Sequence, residues 1–213
     1  MGDDAPLPEL EPEEAQPETH RPFWVELPGL LLTALIVAVL VKTFLVQPFY
    51  IPSESMLPTI EINDRVMVNK LAYRFGEPQP GDIVVFLNPS LTPEQLEETI
   101  PEAVIRSVLE AVGVRTRGED DLIKRVVAVE GQTVSVSEGV LHIDGVAVDE
   151  PFLASGTVMG DFAPVTVPPD HVFAMGDNRN SSLDSRRFGA VPESEIVGKA
   201  VVRIWPLDRL GGL

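Results

Sequence analysis

The sequence predicts a mainly β protein of antiparallel hairpins, preceded by an N-terminal transmembrane helix and interrupted by one helical insertion. Three observations carry that expectation. An uncharged apolar run extends from Leu27 to Val41, short β-branched runs separated by Gly, Asp and Pro dominate the chain after it, and one helix-patterned segment breaks the strands between residues 88 and 121. With 213 residues and 44% hydrophobic content, the chain can bury one core and carry an appendage.

The first 22 residues form an acidic head. Between Met1 and Arg21 stand seven carboxylates and four prolines, with no apolar periodicity, a composition expected of a disordered tail. The anchor is placed at 23–46. From Leu27 through Val46 there are 20 residues, about 30 Å as a helix, which matches the hydrocarbon thickness of a bilayer. Lys42 does not end the span, because its stem can lie along the helix while the ammonium reaches the interface. A cleavable export signal would need small residues just past the run, and KTFLVQPFY is bulky instead. A buried core helix is disfavoured, because the run is apolar on all faces and abuts the acidic head. Basic residues on both flanks, His20 and Arg21 before and Lys42, Arg65 and Lys70 after, leave the orientation undecided by charge.

Residues 47–213 are expected to form the β domain. RVMVNKLAY, GDIVVF, DLIKRVVAVEG, QTVSVSEGVLHIDGVAV, HVFAMGD and IVGKAVVRIW supply its strands, with SEG and IDG as turn centres. The segment 88–121 is a helical insertion: Thr92, Pro93 and Gln95 make a capping pattern, and Val104, Ile105, Val108, Leu109 and Val112 share a face. A reduced second β subdomain occupies about 132–168.

Composition narrows the chemistry. A formal charge of −17 disfavours nucleic acid as a partner. No cysteine is present, and the three histidines are scattered, so thiolate catalysis and histidine-rich metal sites are not expected; no cofactor or metal is assigned. The stretch IPSESMLPT then stands out. Pro52 and Pro58 restrict the backbone around Ser55, so that a hydroxyl and an N–H can be held in one orientation. A serine hydroxyl becomes a useful nucleophile only beside a base, and Lys124 in DLIKRVVAVEG can serve if burial lowers its pKa. Strict alternation puts Lys124 on a face with Leu122 and Val126. The competing expectation, which the strand pattern alone favours, is an exposed Lys124–Arg125 pair on an edge strand. A third stretch, MGDNRNSSLDSRRFGAVPE, concentrates polar groups in one loop between strands.

Taken together and in this order, IPSESMLPT, GDIVVF, IKRVVAVEG and MGDNRNSSLDSRRFGAVP resemble the bacterial type I signal peptidases, the membrane-bound serine–lysine proteases of the leader peptidase family. The resemblance runs from the anchor nearly to the C-terminus. It implies Ser55 as nucleophile, Lys124 as general base, Ser53 with the Ser55 N–H as oxyanion hole, and Ser182 as the residue orienting the lysine amine. It also implies supporting roles for Asp177, Asp184 and Arg186, with Arg125 as a candidate partner. A long insertion, Gln132 after the V-E-G glycine and Asn180 in place of a frequent aspartate depart from the family pattern without removing a catalytic group.

The function so implied is removal of signal peptides from exported preproteins through an acyl-enzyme. It brings preprotein substrates, membrane lipid and a nearby secretion translocon as partners. The expected location is the bacterial plasma membrane, single-pass, with the N-terminus cytoplasmic and the catalytic domain outside. Ser55 lies nine residues past Val46, at most about 30 Å of extended chain, which keeps it near the bilayer. Phe49, Tyr50, Met56 and Leu57 are expected to form an apolar cluster at that surface. Two alternatives stand beside this reading: a serine–lysine self-cleaving regulator, which should carry an Ala-Gly or Cys-Gly site that this chain lacks, and a catalytically inactive membrane-tethered β module that binds export partners.

Overall fold

A computed structural model describes residues 23–89 and 121–213. An α-helix, α1, spans Phe23–Phe44. Over the described residues no helix is long and apolar enough to cross a membrane. The acidic head and nearly all of the expected helical insertion lie outside the described residues.

Among the described residues the β domain contains twelve strands in two antiparallel sheets. The larger sheet is built from β1 (Val46–Tyr50), β2 (Arg65–Asn69), β3 (Ile83–Leu87), β4 (Asp121–Val129), β9 (His171–Met175), β10 (Val191–Pro192), β11 (Ile196–Trp205) and β12 (Gly211–Gly212). Its order is β1-β2-β11-β3-β4-β9-β10, with β12 paired to β11. The smaller sheet, from β5 (Thr133–Ser137), β6 (Val140–Ile143), β7 (Val146–Ala147) and β8 (Phe162–Thr166), runs β7-β6-β5-β8. Each expected strand run contains a strand. Strand β1 is an addition to the expected set: its VQPFY sequence follows α1 and carries Pro48, which has no N–H for a ladder. An edge position accommodates that proline, because one side of β1 needs no partner.

The two turn centres close the small sheet's hairpins. Glu138 and Gly139 have φ of 52° and 76°, and Asp144 and Gly145 have 52° and 78°; paired positive φ values match the right-handed twist of adjoining strands. Of each pair, the glycine meets no steric cost.

Three apolar clusters hold the domain. The first gathers Phe49, Ile51, Met56, Ile60, Val66, Val68, Ile83 and Val85. The second joins Val127, Phe173 and Met175 to Val134, Val136 and Leu141, so the small sheet shares a core with the large one. The third contains Val84, Phe86, Val126 and Val172. Strand β3 sends Ile83 and Val85 to the first cluster and Val84 and Phe86 to the third. Burial on both faces is why its sequence is an unbroken apolar run rather than an alternation.

The expected apolar cluster at a bilayer surface is corrected here. Phe49 is 3% exposed and Met56 fully buried, both inside the first cluster, and the Tyr50 hydroxyl donates to Asn63 Oδ1. Burial in the domain core removes Phe49 and Met56 from water, so these two are not available as a lipid-facing patch, whereas Tyr50 and Leu57 are half-buried.

Candidate active site

The nucleophile segment follows β1 and is fixed by its own backbone. Ile51 N–H donates to Asp64 O and Asn63 N–H to Ile51 O, which closes the base of the loop; Ile60 N–H donates to Met56 O within it. Asp64 is 1% exposed and is held by Arg209, by Arg203 and by the Glu61 N–H. Met56 and Ile60 anchor the loop in the first apolar cluster, leaving Ser55 between them and the polar side.

Strand β4 delivers the lysine. It lies between β3 and β9 rather than at an edge, so the exposed basic pair does not form: Lys124 is 2% exposed and stands opposite Val84. Its Nζ donates to Ser55 Oγ at 2.8 Å and to Ile123 O at 2.7 Å. Burial pushes the amine down from 10.5 to about 8, against the opposing pull of the Asp184 and Asp177 carboxylates. Ser53 Oγ lies 3.3 Å from Ser55 Oγ.

The loop after β9 closes the other side. Asn178 N–H donates to Ser55 O at 3.0 Å and Asn178 Nδ2 to Glu54 O at 3.1 Å. In a trans peptide the N–H points opposite to the carbonyl. Tying Glu54 O to Asn178 therefore turns the Ser55 N–H away from this loop. Gly176 fits where no side chain could: a Cβ there would collide with Ser182 Oγ and with Ser55 O.

The charged residues of the loop pair as two units. Arg125 Nε and Nη2 donate to the two oxygens of Asp177 at 2.9 and 2.7 Å, and Thr59 Oγ1 adds a 2.5 Å bond to the same carboxylate. Arg186 donates twice to Asp184 at 2.8 Å, and Asp184 caps the short helix α2, Ser185–Phe188. Burial works against the Asp184 charge, but the Arg186 guanidinium, the Gly176 N–H and the nearby Ser182 hydroxyl outweigh it and hold the carboxyl below its ordinary value. Ser182 Oγ is buried beside Gly176 without a hydrogen bond of normal geometry among the described residues; Lys124 donates to Ser55 and Ile123 instead.

The family model described as signal peptidase, peptidase S26, matches residues 24–205. The chain belongs to that family. It is 38% identical to the signal peptidase I of Mycobacterium tuberculosis (strain H37Rv) over 94% of this chain and 78% of the relative. It is 37% identical to the signal peptidase I of Leptolyngbya laminosa over 99% and 95% of the two chains. A solved signal peptidase I from Enterococcus faecalis V583 superposes with a TM-score of 0.40 and 25% identity, covering 58% of this chain and 97% of that one.

Besides Thr59, Gly176 and Asn178, four further residues that the sequence does not single out stand close to the site. Arg179, 3% exposed, donates through Nε to Gly176 O and through both terminal nitrogens to Glu150. Phe152 lies under the Arg125 guanidinium, 4.0 Å from ring centroid to Cζ. Ser181 donates to Glu54 Oε1 at 2.5 Å. Arg179 and Ser181 stand in the polar loop itself, but Glu150 and Phe152 lie about 30 residues away, and only folding brings them to it.

Proposed function

We propose that the chain is a membrane endopeptidase that removes signal peptides from exported preproteins through an acyl-enzyme on Ser55, with Lys124 as general base. One observation carries the reading: a buried lysine, its pKa lowered to about 8, lies 2.8 Å from the hydroxyl of a serine in a rigid loop. Neutral Lys124 accepts the Ser55 proton as Oγ attacks the scissile carbonyl. The tetrahedral oxyanion takes hydrogen bonds from the Ser55 N–H and the Ser53 hydroxyl. Lys124 then returns the proton to the leaving amine, and the same base activates the water that releases the signal peptide. Asp184 with Arg186, and Asp177 with Arg125, hold the loop that presses Ser182 and Gly176 against the dyad.

A cavity of about 310 Å³ between the Ile51–Ser53 segment and the start of β4 opens beside Lys124. Along Leu122–Lys124, β4 pairs with β3 on one side, while among the described residues its pairing with β9 begins only at Arg125. An extended substrate adds to the other side of Leu122–Lys124 by main-chain hydrogen bonds, and the small volume, walled by Phe49, Ile51, Val85 and Ile123, favours small side chains near the cleaved bond. Residues 23–46 anchor the chain as a single span, N-terminus cytoplasmic, so that the site meets translocated preproteins at the outer membrane surface, near the translocon and lipid.

The test is turnover of a preprotein by purified full-length protein. Ser55→Ala and Lys124→Arg both abolish cleavage, since guanidinium does not deprotonate at working pH. Full turnover by either would overturn the dyad and point to another nucleophile or base, whereas no turnover by the native protein would favour a binding module.

A further inference from the structure

The loop between β7 and β8 reaches from the small sheet to Arg179 in the polar loop and to Arg125 on β4. Glu150, 7% exposed at its side chain, receives Nη1 and Nη2 of Arg179 at 2.6 and 2.5 Å. The Arg179 side chain is fully buried; its Nε donates to Gly176 O at 2.9 Å, and its own carbonyl accepts from Arg186. Two residues along the loop, Phe152 stacks on Arg125, the neighbour of Lys124. The Leu153 N–H donates to Glu150 O, so the two contacts sit on one turn and move together.

We infer that Glu150 and Phe152 are positioning residues for peptide cleavage: this turn clamps the Gly176 loop and the Lys124 strand against each other. Glu150 acts through Arg179 on Gly176, which packs so closely against Ser55 O and Ser182 that a Cβ there would collide with both. Phe152 acts through Arg125, which is committed to Asp177 and to Gly81 O. A guanidinium bonded in one plane and stacked on its face has little freedom left. The inference rests on the Ser55–Lys124 reading, and Ser55→Ala tests that reading separately: residual turnover there removes the nucleophile whatever the clamp variants do.

The charged groups facing Lys124 are Asp184 and Asp177, each already paired, with Arg186 and with Arg125. Loosening the clamp lets water reach the amine, which restores the hydration that burial removed. The base then titrates at higher pH, closer to an ordinary lysine.

The experiment uses the full-length chain in detergent, a peptide bearing a signal-peptide cleavage site, and rates normalised to active sites by burst titration. Glu150→Gln and Phe152→Leu each lower kcat on the order of 10-fold or more, as expected when a reacting group is slightly misplaced, with KM little changed. Both move the acid limb of kcat/KM to higher pH, whereas Phe152→Tyr, which keeps the ring, leaves the limb in place. A part that merely held the fold would lower Tm and the titratable fraction of enzyme without moving the limb. Phe152→Leu decides if Glu150→Gln does not fold, because it keeps an apolar side chain at a half-buried position. An acid limb that stays at its native pH in the folded variants overturns the inference, whatever happens to Tm.

Discussion

Replacing Gly176 with alanine adds one methyl group at the closest approach between the polar loop and the nucleophile. Its Cβ would stand 2.5 Å from Ser55 O and 2.6 Å from Ser182 Cβ, and it would overlap Ser182 Oγ. An ordinary carbon–oxygen contact is about 3.3–3.6 Å, so one partner must retreat by close to 1 Å. The φ of Gly176 lies outside the left-handed region, which leaves the cost steric. Ser55 O cannot withdraw freely, because Asn178 N–H holds it and Met56 is fixed in the core. Overpacking of this kind costs about 1–3 kcal/mol in stability. A shift of about 1 Å at the nucleophile costs on the order of 100-fold in rate. The measurement is kcat/KM on a peptide substrate, per titrated active site, beside a thermal melt. Adding Ser182→Gly removes the serine clashes but not the carbonyl clash, so the double variant recovers only part of the loss. Turnover by Gly176→Ala within about threefold of native would refute the claim that this contact sets the dyad.

The acid limb of the kcat/KM profile rises through an apparent pKa near 8, because Lys124 must be neutral to act and burial lowers it to about 8; a limb near 10 would contradict this. The same shift sets a stability difference. Between pH 8 and 10.5 the unfolded chain keeps the Lys124 proton and the folded chain does not, so stability rises with pH across that window. Below it, a drop from 10.5 to about 8 amounts to roughly 3 kcal/mol of penalty as an upper bound. Lys124→Met is accordingly inactive, and its stability relative to native, by urea titration at several pH values, is greatest below pH 8 and declines toward pH 10.5. Ser53→Ala lowers kcat on the order of 10- to 1,000-fold with Tm unchanged, the range for losing one oxyanion donor. Ser182→Ala slows turnover without lowering Tm, since its buried hydroxyl makes no hydrogen bond of normal geometry among the described residues.

Local pattern carried most of the strands and turns. β-branched runs bounded by glycine and aspartate marked the strands, and Glu138-Gly139 and Asp144-Gly145 marked two hairpin turns, because backbone preference and turn geometry act over a few neighbouring residues. The residues of the site were also visible, as three separated stretches around Ser55, Lys124 and Ser182. Their burial was not, and the pairings of Ser55 with Lys124 and of Arg125 with the loop followed from the family resemblance rather than from local pattern. On strand pattern alone Lys124–Arg125 suited an exposed edge, and only the order β3-β4-β9 enclosed it, since whether a strand is central depends on pairings made by residues far along the chain. Phe49 and Met56 followed the same logic: apolar character does not say whether lipid or core will cover a side chain, and here the core does. Glu150 and Phe152 carried no signal at all, being an acid and an aromatic in a loop. They gained their places beside Arg179 and Arg125 only when the small sheet packed on the large one, through contacts whose separation in sequence no local pattern encodes.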